Sequence, residues 1–143
     1  MSIDIDLAQR IEAPLEEVAA FAMDPANDPR WLDSVRASRV EGDAPLAVGS
    51  VVVRELHVPG HELTLRSEVT RLEPGHLLEL RTIDEMGPLT MTHAFETLDD
   101  GSTLARLAVN GAAGTGIAGF VLRRALERGV ASSLRRLSDA MRR

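Results

Sequence analysis

The sequence predicts an α+β fold: a seven-stranded antiparallel sheet curled around one long C-terminal helix, with two short helices after the first strand. Three observations lead there. Strand-like runs succeed one another from 35 to 110 with only short Pro, Gly and Asp punctuation between them, which gives hairpins rather than crossovers. A single long stretch, 116–141, repeats apolar residues at spacings of three and four. With one long helix and one sheet, the apolar faces of the two must bury each other. The 143 residues are the size of one domain, and 1–143 reads as a single unit without repeats.

Each element has its own signal. Residues 3–12 (IDIDLAQRIE) alternate, as a half-buried strand does. Pro14 then opens a helix, PLEEVAAFAM, whose first turn carries Glu16 and Glu17 at its positive end. The next stretch, DPANDPRWLDSV, holds Asp-Pro twice, which breaks the helix and leaves a short second one ending near Trp31. Six strands follow at 35–42, 49–58, 61–72, 76–84, 89–98 and 102–110. Pro59-Gly60, Pro74-Gly75, Gly87-Pro88 and Asp99-Asp100-Gly101 separate the last five. In the closing helix, Leu122, Leu126, Val130, Leu134, Leu137 and Met141 form the apolar stripe, and Arg123, Glu127, Arg128, Arg135 and Asp139 face water.

Hairpin register identifies the inner face, because opposed residues point the same way. A two-residue turn at Pro59-Gly60 sets Arg54 against Leu65 and Val52 against Ser67. One at Pro74-Gly75 sets Leu72 against Leu77 and Ser67 against Thr82. A four-residue loop from Glu85 to Pro88 sets Leu80 against His93. A three-residue loop at Asp99-Asp100-Gly101 sets His93 against Leu107. The inner face then carries Leu56, Leu63, Leu65, Val69, Leu78, Leu80, Met91, Phe95, Leu107 and Val109, while Glu62, Arg66, Glu68, Glu79, Arg81 and Glu96 fall outside. Four polar residues lie among the inward positions: Arg54, Ser67, Thr82 and His93. An inward Arg needs an acid, water or a ligand, since an unpaired buried charge is costly. Convergent polar groups on an apolar surface are also what orients a bound molecule.

Composition removes several chemistries. Cys, Lys and Tyr are absent, which excludes thiol nucleophiles, thiolate metal sites, lysine Schiff bases and phenolic acids. No G-x-S-x-G stretch marks a serine-hydrolase elbow. The net charge of -6 argues against a nucleic-acid binder. The charge is uneven: residues 115–143 hold seven Arg against only Glu127 and Asp139, so the C-terminal helix is basic on an acidic body. No apolar run is long enough to span a bilayer, and MSIDIDLAQRIEAP lacks the basic and apolar regions of a signal peptide, so a cytoplasmic location is expected.

Two motifs invite stronger readings and fail. GTGIAG at 114–119 fits the phosphate-cradling G-x-G-x-x-G, but that site needs a parallel strand after the helix, and none follows. Its glycines are expected to form a flexible joint, with Gly116 and Gly119 letting the helix start pack close to the sheet. His57, His61 and Glu62 suggest a metal, but register pairs His57 with Glu62 on the outer face beside a turn, with too few ligands. No metal and no cofactor are expected. His76 sits in a turn. Trp31, the only Trp, follows a broken helix and is placed to gate a cavity mouth.

The order and spacing of I-E-A-P-L-E-E-V at 11–18, W-L-D-S-V at 31–35, V-G-S at 48–50, E-V-T-R-L-E-P-G-H-L-L-E-L-R at 68–81, H-A-F-E at 93–96 and D-G-S-T at 100–103 resemble the START-like helix-grip superfamily (SRPBCC). Within it, the chain resembles the polyketide cyclase/dehydrase and lipid transport branch, over essentially its whole length. The resemblance implies a seven-stranded sheet gripping the C-terminal helix around a hydrophobic cavity, with no universal catalytic residue. The expected partner is a small hydrophobic molecule, lipid-like or aromatic. Its contacts would come from Trp31, Arg54, Leu65, Ser67, Leu80, Thr82, Met91, His93, Phe95, Leu107, Leu126 and Val130. A cyclase/dehydratase-type enzyme in the same cavity is the alternative, with His93 moving a proton and Arg54 stabilising enolate charge. A second alternative is an interaction protein docking through the basic C-terminal helix. Oligomeric state is left open.

Overall fold

The computed structural model describes residues 2–58, 61–83, 89–112 and 116–142, and the side chains of these other than 58, 61, 116–119 and 122. The elements run β1 (Ser2–Ile11), α1 (Leu15–Ala22), a 3-10 turn (Pro25–Asn27), α2 (Asp28–Trp31), β2 (Val35–Val40), β3 (Val51–Val58), β4 (His61–Glu73), β5 (Leu77–Thr82), β6 (Leu89–Thr97), β7 (Thr103–Ala112) and α3 (Gly116–Met141). All seven strands join one antiparallel sheet in the order β1-β7-β6-β5-β4-β3-β2. The hairpins from β2 to β7 are therefore local. Only the β1–β7 pairing joins distant parts of the chain.

The local chemistry explains the boundaries. Pro14, extended at ψ 150°, precedes α1, and Glu16 and Glu17 occupy its first turn. The helix stops where the Met23 amide bonds Ala19 O at 2.9 Å and Asp24-Pro25 follows. The two Asp-Pro pairs have different fates. Asp24 caps the 3-10 turn by accepting the Ala26 amide at 3.0 Å, whereas Asp28 begins α2 with its side chain buried. Gly75 and Gly101 sit at φ 80° and 85° in their hairpin turns, a conformation glycine adopts without strain.

Register follows the expected pattern with two corrections. Arg54 opposes Leu65, Val52 opposes Ser67, Ser67 opposes Thr82 and His93 opposes Leu107, as the turns imply. Leu72, however, opposes Leu78 rather than Leu77. The β4–β5 turn takes three residues, Pro74 to His76, and a bulge between Val69 and Arg71 restores the phase. On β6, His93 opposes Leu78 rather than Leu80, which instead opposes Met91. The β5–β6 connection thus differs by two residues from the expected loop. The shift is even, so every side chain keeps its face. The Pro59-Gly60 turn, the Glu85 to Pro88 loop and Gly114 lie outside the described residues. Gly116–Gly119 belong to the first turns of α3.

The core lies between the concave sheet face and α3. Val130, Leu134 and Leu137 are buried with Ile3, Ile5, Ile11, Leu78, Leu80, Phe95, Leu107 and Val109. Each such side chain contributes about 1.5–3 kcal/mol of burial. α1 closes one end with Val18, Ala19 and Ala22. The buried Thr103 hydroxyl donates to Ala13 O at 2.8 Å, tying β7 to the β1–α1 corner. Outside, Glu62, Arg66, Glu68, Arg81 and Glu96 are exposed as expected, and Glu79 is half-buried, accepting from the Thr70 hydroxyl at 2.9 Å. Among the described residues, no helix is long and apolar enough to cross a membrane.

Candidate functional site

α2 is one turn long, and its residues 28 and 31 share a face. That face points into the sheet: Asp28 and Trp31 are each 1% exposed, while Arg30 stays outside over the Phe21 ring at 4.9 Å. α3 holds α2 in place. The Arg136 guanidinium donates to Leu32 O and Pro29 O, both at 3.1 Å. The Ser133 hydroxyl accepts the Asp33 amide at 2.8 Å. Ser34 then takes a left-handed φ of 69°, and its carbonyl accepts the His57 amide at 2.7 Å, turning the chain into β2.

Three polar contacts form beneath α2. The Arg54 Nε of β3 donates to Asp28 Oδ2 at 2.8 Å, with both side chains almost wholly buried. The Ser38 hydroxyl of β2 donates to the same oxygen at 2.8 Å. Arg54 Nη1 reaches across to Met91 Sδ of β6 at 3.7 Å. Burial pushes the Asp28 carboxyl above its usual range, and the Arg54 charge and the Ser38 bond oppose that rise. The inward arginine therefore has its acid. Sequence reading missed Asp28 and Ser38. The available signal was the i, i+3 relation of Asp28 to Trp31, which the Asp-Pro break obscured.

Beside this pair, His93 of β6 is fully buried and meets Trp31 edge-on, with ring centroids 5.5 Å apart and planes at 78°. Among the described residues, neither His93 nitrogen has a hydrogen-bond partner, and nor does Trp31 Nε1. Burial, with a smaller contribution from Arg54, lowers the His93 pKa to about 3. The ring is neutral at physiological pH and presents one donor and one acceptor. Buried polar atoms without a protein partner are uncommon, and here three fall on two touching rings.

The expected site residues divide into groups. Trp31, Arg54, Met91 and His93 come together. Trp31 lies beneath α2 in the core rather than at a mouth, because Arg136 and Ser133 pull α2 down onto the sheet. Phe95, Leu80, Leu107 and Val130 are buried core around them. Ser67 and Thr82 are buried opposite each other. Thr82 accepts the Leu89 amide at 2.8 Å and lies far along the strands from His93. Leu65, Leu126 and Met91, with Leu56 and Leu63, are only half-buried, so the concave face keeps accessible apolar surface near β3, β4 and the first half of α3.

Other features lie apart. An open, mostly apolar groove of about 480 Å³ runs between α1 and the β4–β5 turn, lined by Ala19, Ala20, Met23, Leu46 and Leu72 with Glu16 and Asp24. None of the expected site residues lines it. His57 Nδ1 and Glu62 Oε1 pair at 2.7 Å on the outer face, and His76 is exposed. Among the described residues, no three His, Asp or Glu gather as metal ligands. On α3, Phe120 and Val121 are exposed (54% and 58%), and Arg124, Arg128 and Arg135 are exposed too.

Comparison with known proteins gives one family and one fold. The family model "Polyketide cyclase / dehydrase and lipid transport" matches residues 2–142. No curated protein matches in sequence. Among solved structures, the Zhui aromatase/cyclase from a Streptomyces species superposes with a TM-score of 0.84 at 17% identity, covering 100% of this chain and 95% of that one. A START superfamily protein from Mycobacterium smegmatis gives 0.81 at 10% identity, covering 97% of both. The di-domain ARO/CYC StfQ of the steffimycin biosynthetic pathway gives 0.77 at 16%, covering 99% of this chain and 51% of that one. At these identities the likeness establishes the helix-grip fold.

Proposed function

The chain belongs to the polyketide cyclase/dehydrase and lipid transport family, and on that premise we propose that residues 1–143 form one unit that binds a small hydrophobic molecule between the concave sheet face and α3. One observation carries the reading: His93, neutral and fully buried, has two unpartnered ring nitrogens against the unpartnered Trp31 N–H. A carbonyl or hydroxyl on the ligand would complete them, while Leu56, Leu63, Leu65, Met91 and Leu126 would receive its apolar body. Native mass spectrometry of the freshly purified protein, followed by organic extraction, tests this. A stoichiometric bound species that His93→Leu weakens at least tenfold is the expected result. Equal retention by His93→Leu would remove His93 from the site.

An enzyme of the cyclase/dehydratase type is the second reading, favoured by the same His93. Its lowered basicity makes it a weak proton acceptor near neutral pH, so hydrogen bonding suits it better than general-base work. Undiminished turnover of a poly-carbonyl substrate by His93→Leu would end the catalytic assignment. Docking through α3 is supported by exposed Phe120 and Val121 beside Arg124 and Arg128. Charge reversal at Arg128 and Arg135 should then abolish binding to an acidic protein partner. The reading adopted involves no nucleic acid, metal or cofactor, and a cytoplasmic setting.

A further inference from the structure

We propose that the site selects uncharged ligands and rejects carboxylates, and that Asp28 is the residue that imposes this choice. The inference rests on the binding reading above and adds the chemical class of the ligand.

An arginine on the concave face would ordinarily invite an anion. Here Asp28 Oδ2 already faces Arg54 Nε at 2.8 Å and takes the Ser38 hydroxyl at the same distance, and the two charged side chains are 2% and 5% exposed. The pair is neutral as a whole. His93 beside it is uncharged. A carboxylate placed against the Trp31 and His93 rings, 1% and 0% exposed, would therefore bring one uncompensated negative charge into the interior, at a large desolvation cost. It would also stand near Asp28, which repels it. A carbonyl or hydroxyl meets none of these penalties, and it matches the one donor and one acceptor that His93 presents along with the Trp31 N–H. Among the described residues, the charged or titratable groups facing the site are Arg54 of β3, Asp28 of α2 and His93 of β6, with Asp24 acting on Asp28 and Arg136 of α3 on the α2 carbonyls.

Matched probes test it on the wild-type chain: β-naphthol against β-naphthoic acid, and decanol against decanoic acid, titrated by calorimetry at pH 6, 7 and 8. The neutral member of each pair should bind at least tenfold more tightly at pH 7. The acid should bind only in its neutral form, so its affinity should fall about a hundredfold from pH 6 to pH 8 while the alcohol's stays level. In Asp28→Asn the carboxamide oxygen can still accept from Arg54, but the site gains a net positive charge. The acid should then gain at least tenfold relative to the alcohol and lose its pH slope. Acids binding as well as alcohols with no pH slope overturn the proposal, even if Asp28→Asn fails to fold. If no member of either pair binds, the binding reading itself falls.

Discussion

His93 carries a testable consequence of burial. Its folded pKa, about 3, lies below the ordinary 6.5 because charging it would strip an imidazolium of water next to Arg54. A depressed pKa contributes stability that is present above 6.5 and lost as pH falls towards 3, since the unfolded chain takes up a proton that the folded one refuses. From pH 7 to pH 5 this should cost roughly 2 kcal/mol. Asp28 has the opposite sign: its raised pKa favours the fold below 3.8, and that contribution fades as pH rises. Urea denaturation of wild type and His93→Leu at both pH values separates the two, because Asp28 is common to both proteins. The wild type should lose roughly 2 kcal/mol more than the variant. At pH 7 the leucine should cost little, because it removes two unpartnered nitrogens. Parallel losses in the two proteins would mean that His93 is not held neutral.

At the scale of elements, α2 is too short to hold itself in place. One turn of helix gains almost nothing from its own hydrogen bonds. Its position comes from α3, through Arg136 on two carbonyls and Ser133 on the Asp33 amide. Arg136→Met keeps much of the side-chain stem but removes both bonds, and should cost about 2–3 kcal/mol. Trp31 reports the outcome directly, being the only Trp and 1% exposed. Its emission should shift to the red in Arg136→Met as α2 lifts and water reaches the indole. An unshifted spectrum would show that the apolar contacts of Trp31 alone hold α2 down.

For the whole molecule, the sheet closes only when β1 meets β7, with about a hundred residues between the paired strands. α3 contacts both strands, so the closure and the helix docking are one event. Leu137 of α3 is 0% exposed in the core that this docking completes. Leu137→Ala should lower stability by about 2–5 kcal/mol. Trp31 fluorescence and far-ultraviolet circular dichroism should still report a single, coincident transition. Separate transitions would mean that α3 leaves the sheet before the sheet unfolds.

The fold was legible in the sequence because its signals are local and redundant. Period-two runs, Pro-Gly turns and one helical stripe specify seven strands and a gripped helix, and hairpin register placed Arg54, Ser67, Thr82 and His93 inside. The even shift on β6 left faces unchanged, whereas the one-residue shift beyond the β4 bulge set Leu72 opposite the buried Leu78 and against the core. The site was legible only by half. The concave face and its polar residues follow from strand periodicity, which records direction but not partners. That Asp28 rather than Asp24 enters the interior, that it neutralises Arg54, and that His93 and Trp31 are left without partners depend on where α2 lies. Bonds from α3, more than a hundred residues away, hold it there. Contacts between segments so distant are set by the completed sheet and the helix packed on it, and the sequence around either end gives no sign of them.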